Sequence, residues 1–172
     1  MKLLKWFKEE FFKWVDRPEC PRCKESAKME RWGDAMPRNE DREFNATKIE
    51  SYKCRDCKIE VRFPRYNHPV KLFETKVGSC SEWANCFTAI CVALGYPARK
   101  TIDWTDHAWT EILIDERWTH VDPCEGSFDQ PLLYEEGWGK DLSYVLAFSN
   151  EEILDVSKRY AIDADMNKTR RD

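Results

Sequence analysis

The sequence predicts an α+β fold, in which one cysteine-bearing helix precedes a run of antiparallel strands. Three observations carry that prediction. Trp83, Phe87, Ile90, Cys91 and Leu94 recur at helical spacing. From His107 to Ile114 the segment HAWTEILI alternates, with His107, Trp109, Glu111 and Leu113 on one face and Ala108, Thr110, Ile112 and Ile114 on the other. Upstream, two Cys-x-x-Cys pairs mark a separate small lobe.

The elements follow in chain order. Leu3, Leu4, Phe7, Phe11, Trp14 and Val15 are spaced as the apolar face of an N-terminal helix, placed at 1–18 and docked on the domain. Lys5, Lys8, Glu9 and Glu10 interrupt any signal-peptide core, and no small-residue cleavage site follows. Residues 19–62 form the cysteine lobe, whose charged middle, Glu25 to Lys48, reads as loop or short hairpin. Phe63 to Pro69 is a Pro-punctuated connection, and residues 63–172 form the remaining core. Its helix starts at Gly78–Ser79, with Ser79 as N-cap and Glu82 at the capping-box spacing, and Gly95 and Pro97 end it. Asp115–Glu116 turns the chain so that Arg117 to Asp122 runs back along HAWTEILI. A further strand, Ser143 to Phe148, precedes an acidic segment from Asn150 that reads as a short helix.

Composition narrows the function. The 172 residues suit one domain, or one domain with a small appended lobe, and 13% aromatic content with eight Trp can fill a sizeable core. A net charge of −4 and dispersed basic residues argue against nucleic acid as a partner. No run approaches the roughly 18 apolar residues of a membrane-spanning helix. Eight cysteines without a signal sequence imply reduced thiols in a cytoplasmic or nuclear protein rather than a secreted disulfide scaffold.

Cys20-Pro-Arg-Cys23 and Cys54-Arg-Asp-Cys57 supply two tight turns, each converging two thiolates on a point. Together they favour one structural zinc ion over two disulfides or a redox pair, and four thiolates leave no open position for catalysis. Cys86 and Cys91 fall among apolar residues and read as small buried hydrophobes. Cys80 differs. It sits in the first turn of its helix, where unpaired amides and the helix dipole stabilise a thiolate and can donate to an oxyanion.

Its base is sought among only three histidines. A turn centred on Asp115–Glu116 sets Glu111 opposite His120 and Trp109 opposite Asp122, which makes His107 and Asp122 diagonal neighbours on one face. A carboxylate there can orient the imidazole toward Cys80. A one-residue slip would send Asp122 to the other face, so the inference depends on this turn. His120 competes as base but lies farther from the strand end that carries Asp122. Trp109 and Trp118 share that face, and read either as core or as stacking surfaces around a cleft, with Trp104 on the preceding loop.

The runs GSCSEWANCFTAICVALGYPAR, DWTDHAWTEI and RWTHVDPCEGSFDQPLLYEEGWGKDLSYVLAFS, with FFKW near residue 14, closely resemble the cytoplasmic peptide:N-glycanase family of transglutaminase-like proteins. The resemblance implies a transglutaminase-like, papain-like cysteine hydrolase core, with the Cys helix packed on a sheet carrying His and Asp. It implies a triad of Cys80, His107 and Asp122, and a structural zinc on Cys20, Cys23, Cys54 and Cys57. It places Trp14 near the oxyanion, and Trp109, Trp118 and Glu125 around a sugar-binding cleft. The implied reaction is hydrolysis of the amide joining an N-glycan to Asn on a denatured glycoprotein, with a Cys thioester intermediate. Such a role belongs to the degradation of misfolded glycoproteins exported from the endoplasmic reticulum. In some relatives terminal helices bind a ubiquitin-receptor shuttle linked to the proteasome, and the short C-terminal surface here weakens that expectation. A cysteine protease, a transglutaminase and a non-catalytic binding module are the competing readings.

Overall fold

A computed structural model describes residues 1–171 of the chain. The chain divides into two compact units, Met1–Phe12 with Trp83–Asp172, and Lys13–Glu82.

The N-terminal helix is shorter than its periodicity suggests. Helix α1 (Lys2–Trp6) runs into a wider π-helical turn at Phe7–Phe11, and Phe12 then turns extended. Leu4, Phe7, Phe11 and Phe12 are buried. Phe7 meets Trp83 and Phe87 edge-on at 5.6 and 5.1 Å, and Phe12 meets Trp83 at 5.3 Å. Such pairs add about 0.5–1.5 kcal/mol each beyond burial. Trp14 and Val15 therefore lie beyond the helix expected to reach residue 18. Lys13–Trp14 is a strand (β1), because its backbone hydrogen bonds go to another strand instead of to the preceding turn.

Within Lys13–Glu82, three strands form an antiparallel sheet in the order β2 (Met29–Ala35), β3 (Ile49–Cys54), β4 (Glu60–Pro64), with α2 (Asn39–Glu43) between β2 and β3. The segment read as loop or hairpin thus holds a full strand and a helix. Its charges do not prevent this, since β2 turns them outward and Asp41 is held by Arg62 at 2.6 Å and by the Arg38 amide at 2.8 Å. Next come α3 (Pro69–Thr75) and β5 (Val77–Gly78), which pairs in parallel with β1, Trp14 opposite Gly78.

Helix α4 (Cys80–Ala93) begins in this unit and continues into the other. Leu94 follows its end and is exposed rather than buried, and Gly95 supplies the left-handed φ of +84° that stops the helix. There the antiparallel sheet runs β11-β10-β6-β7-β8-β9, with β6 (Ala98–Asp103), β7 (His107–Ile114), β8 (Arg117–Asp122), β9 (Ser127–Phe128), β10 (Val145–Phe148) and β11 (Ile153–Asp155). The acidic tail is not a helix at its start. It pairs with β10 as the edge strand β11, and α5 (Ser157–Tyr160) and α6 (Ala164–Thr169) follow.

The first six residues of β7 are buried on both faces. One face meets α4, where Thr110 Oγ1 lies 2.8 Å from Thr88 Oγ1. The other packs Trp109 into a core with Tyr134, Leu142, Val145 and Tyr160. Helix on antiparallel sheet is the α+β arrangement the sequence predicts.

Candidate active site

Cys80 is the first residue of α4, and its placement is built within Lys13–Glu82. The β1–β5 pair fixes the backbone at Gly78, where any Cβ would sit 2.5 Å from Glu82 Cβ, so only glycine lets the strand enter the helix this closely. Glu82 closes the first turn by accepting from the Ser79 amide at 3.1 Å and the Ser79 hydroxyl at 3.2 Å. Arg65 clamps both Glu82 oxygens, at 2.6 and 2.7 Å, and also bonds Ser79. Cys80 itself is half-buried as the first residue of α4, in a turn held by the Ser79, Glu82 and Arg65 contacts.

His107 and Asp122 belong to the other unit. The β7–β8 register pairs Glu111 with His120 and Leu113 with Trp118, as the Asp115–Glu116 turn predicts, and both turn residues are left-handed at φ +47° and +62°. His107 Nε2 donates to Asp122 Oδ2 at 2.7 Å. That leaves Nδ1 as the nitrogen not committed to the carboxylate. Asp103 accepts from the His107 backbone amide at 3.1 Å and is itself paired with Lys140 at 2.9 Å. Trp138, Tyr134 and Trp109 surround the imidazole, with ring centroids at 4.9, 5.3 and 5.9 Å.

Asp122 is fully buried and saturated. Oδ1 accepts from the Cys124 and Glu125 amides at 2.8 and 3.2 Å, and Oδ2 accepts from Tyr134 at 2.8 Å as well as from His107. Burial pushes its carboxyl up, but the donors, His107 foremost, outweigh that and hold it below the usual range. Asp122 therefore stays an anion beside His107.

His120, the competing base, is engaged elsewhere. Its Nε2 lies 2.7 Å from the Tyr134 hydroxyl, and its Nδ1 accepts from the Gln130 amide at 3.3 Å. Burial lowers it from 6.5 to about 4, and the carboxylates of Asp122 and Glu111 oppose this only in part. The unfolded chain therefore binds a proton near 6.5 that the folded chain refuses until about 4, and stability must fall as pH drops through that window. Between pH 7 and pH 5 the expected loss from this group is about 2 kcal/mol. Urea midpoints of wild type and His120→Gln at the two pH values check it, the variant losing less on acidification. Equal losses would remove His120 as the cause.

The remaining residues divide. Trp109 is fully buried and stacked on Tyr134 at 4.4 Å, packed as core, the first of its two sequence readings, and away from the sugar-facing position the resemblance implies. An aromatic residue on a strand buried on both faces has no route to solvent. Trp118 is half-buried beneath the Arg99 guanidinium at 4.0 Å, Glu125 is exposed, and Trp14 is exposed with its indole donating to Asp16 at 2.7 Å. Sequence reasoning missed Tyr134, Asp103 and Arg65. Tyr134 sits in PLLYEEG, where neither a helical nor a strand period flags it.

The four sulfurs of Cys20, Cys23, Cys54 and Cys57 lie within 4.8 Å of one another, with Cys23 and Cys54 at 3.9 Å. A tetrahedral ion with bonds near 2.3 Å spaces its sulfurs at about 3.8 Å, so the group fits a structural metal. The thiols by themselves are in conflict. Backbone amides, Cys23's first, draw Cys20 down to about 6, whereas burial and the neighbouring sulfurs push Cys57 up to about 12. A divalent cation resolves this by letting all four ionise. All eight cysteines are free of disulfides.

Residues 31–123 match the model of the Transglutaminase-like superfamily. The chain belongs to the transglutaminase-like superfamily. The matched stretch of this superfamily member takes in Cys80, His107 and Asp122. The whole chain is 50% identical over 99% of its length to a Gallus gallus protein named peptide-N(4)-(N-acetyl-beta-glucosaminyl)asparagine amidase, and 50% identical over 94% to its Rattus norvegicus namesake. It spans about a quarter of the curated relatives, 26% and 25% of these two. Among solved structures, Rad4–Rad23 bound to a 6-4 photoproduct UV lesion shares the fold, with a TM-score of 0.53 and 17% identity, over 93% of this chain and 36% of that one. No described helix is long and apolar enough to cross a membrane.

Proposed function

We propose that this chain is the catalytic core of a peptide:N-glycanase, a cysteine amidase that releases N-glycans from denatured glycoproteins. The observation that carries the reading is near-50% identity, over almost the whole chain, to curated peptide-N(4)-(N-acetyl-beta-glucosaminyl)asparagine amidases. The buried His107–Asp122 pair supports it chemically, because an imidazole held by an anion suits proton transfer to and from a thiol.

In this reading Cys80 thiolate attacks the side-chain amide carbon of the glycosylated Asn. Amides at the start of α4 donate to the oxyanion, and His107 imidazolium protonates the departing glycosylamine nitrogen as the C–N bond breaks. Water then gives its proton to His107 and its oxygen to the thioester carbon, yielding Asp and free Cys80. Trp14, one strand from Gly78, is assigned to the oxyanion side, and Trp118 and Glu125 to the glycan. Zinc is assigned to the four-cysteine cluster, where a closed thiolate shell gives it a structural role only. The cytoplasm is assigned as the working compartment, because a four-cysteine metal site works with reduced thiols.

Incubation with a heat-denatured N-glycoprotein tests the activity. Each site should lose its glycan mass, and its Asn should become Asp. Backbone cleavage would replace the reading with a protease, and binding without turnover would replace it with a binding module.

A further inference from the structure

We propose that Tyr134 and His120 are positioning residues that orient Asp122 and, through it, hold His107 in the tautomer that leaves Nδ1 for the reaction; this rests on the triad of the proposed function. The geometry has a direction. The Gln130 amide donates to His120 Nδ1, so that nitrogen carries no hydrogen and Nε2 must carry one. Nε2–H then donates to the Tyr134 oxygen at 2.7 Å. Having accepted there, the hydroxyl gives its single proton to Asp122 Oδ2 at 2.8 Å. The same oxygen takes His107 Nε2–H at 2.7 Å from the other side.

Donation thus runs one way, from His120 through Tyr134 onto the carboxylate that steers His107. Tyr134, Asp122 and His120 are all at most 1% exposed, so water cannot replace a missing donor. Burial also keeps the Tyr134 hydroxyl protonated, its pKa being raised by desolvation and by Asp122. The other acids around the site are already neutralised: Asp103 by Lys140, Glu111 by Arg99 and Arg159, and Asp129 by Arg117. Tyr160 donates to Glu111, and Cys124 and Glu125 reach Asp122 through their amides. Asp122 Oδ2 is the anion that His107 bonds, and Tyr134 shares its charge.

Removing the hydroxyl concentrates that charge on the His107 bond. Tyr134→Phe is therefore expected to make His107 more basic. Its imidazole titration, followed by NMR in the free protein, should move up by about half to one pH unit. The alkaline limb of the kcat/KM profile should move the same way, and kcat should fall about tenfold at unchanged KM. With three histidines in the chain, the His107 resonance is assignable by elimination. His120→Leu should lower kcat by loosening Tyr134, and His120→Gln, which keeps an N–H donor, should restore it. The titration needs no turnover, so it tests the inference even if glycan release is not the activity. An unshifted His107 titration in folded Tyr134→Phe overturns the proposal, whatever the kinetics do, and leaves the amidase reading standing.

Discussion

Cys80→Ala is expected to abolish glycan release from a denatured glycoprotein, a fall of at least about 10⁴-fold in turnover. The magnitude follows from covalent catalysis. Without the thiolate there is no thioester, and water would have to attack an unactivated amide at a site shaped for sulfur. The substitution removes one atom from a half-buried position in the first turn of α4. What holds that turn is other groups: Gly78 against Glu82, Ser79 against Glu82, and Arg65 across both. Stability should therefore change by less than about 1 kcal/mol, and metal content should not change. A folded Cys80→Ala protein that kept more than a tenth of wild-type release would sink the proposed chemistry. Loss of activity together with loss of fold would not count, and the circular dichroism spectrum separates the two.

Stripping the metal with a chelator under reducing conditions, or replacing Cys54 with Ser, is expected to unfold the Lys13–Glu82 unit. Its apolar cluster is Cys20, Met29, Tyr52 and Cys54, with Cys23, Cys57, Val61 and Phe63 packed around it. Half of that cluster consists of the ligands themselves. Structural zinc sites of this kind contribute about 10–16 kcal/mol in small domains, more than such a core could supply. Amide protection should disappear over β2, β3 and β4. Turnover should go with it, because Arg65 follows β4, is tied to the Lys48 carbonyl at 2.9 Å, and clamps the turn that carries Cys80. Metal-free, reduced protein that retained protection in those strands would contradict this account. Elemental analysis of the folded protein identifies the ion.

Much of the fold was legible because the signals were local. The capping box at Ser79–Glu82, the alternation in HAWTEILI and the turn at Asp115–Glu116 each lie within a few residues of the structure they specify. The register followed from that turn, and with it the pairing of Glu111 with His120. Where the reading failed, a distant partner decided the outcome. Helical spacing carried through Trp14, yet Lys13–Trp14 became a strand because β5 offers it backbone partners. Charge from Glu25 to Lys48 suggested a loop or short hairpin, yet β3 gave the seven-residue β2 a ladder and a helix formed between them. The acidic tail became β11 because β10 had an open edge.

The division is the same at the site. By itself the sequence determined the residue types: a cysteine at a helix start, a histidine and an aspartate set on one face by a local turn, and four cysteines in two tight turns. Only the tertiary structure decided what surrounds them. It buried Trp109 in the core, left His120 neutral, and brought Tyr134 to Asp122 from a segment with no periodicity. Periodicity records which face of an element is apolar, whereas a buried hydrogen bond depends on which elements meet. The proton affinity of a buried group is set by that meeting, through desolvation and the donors it brings.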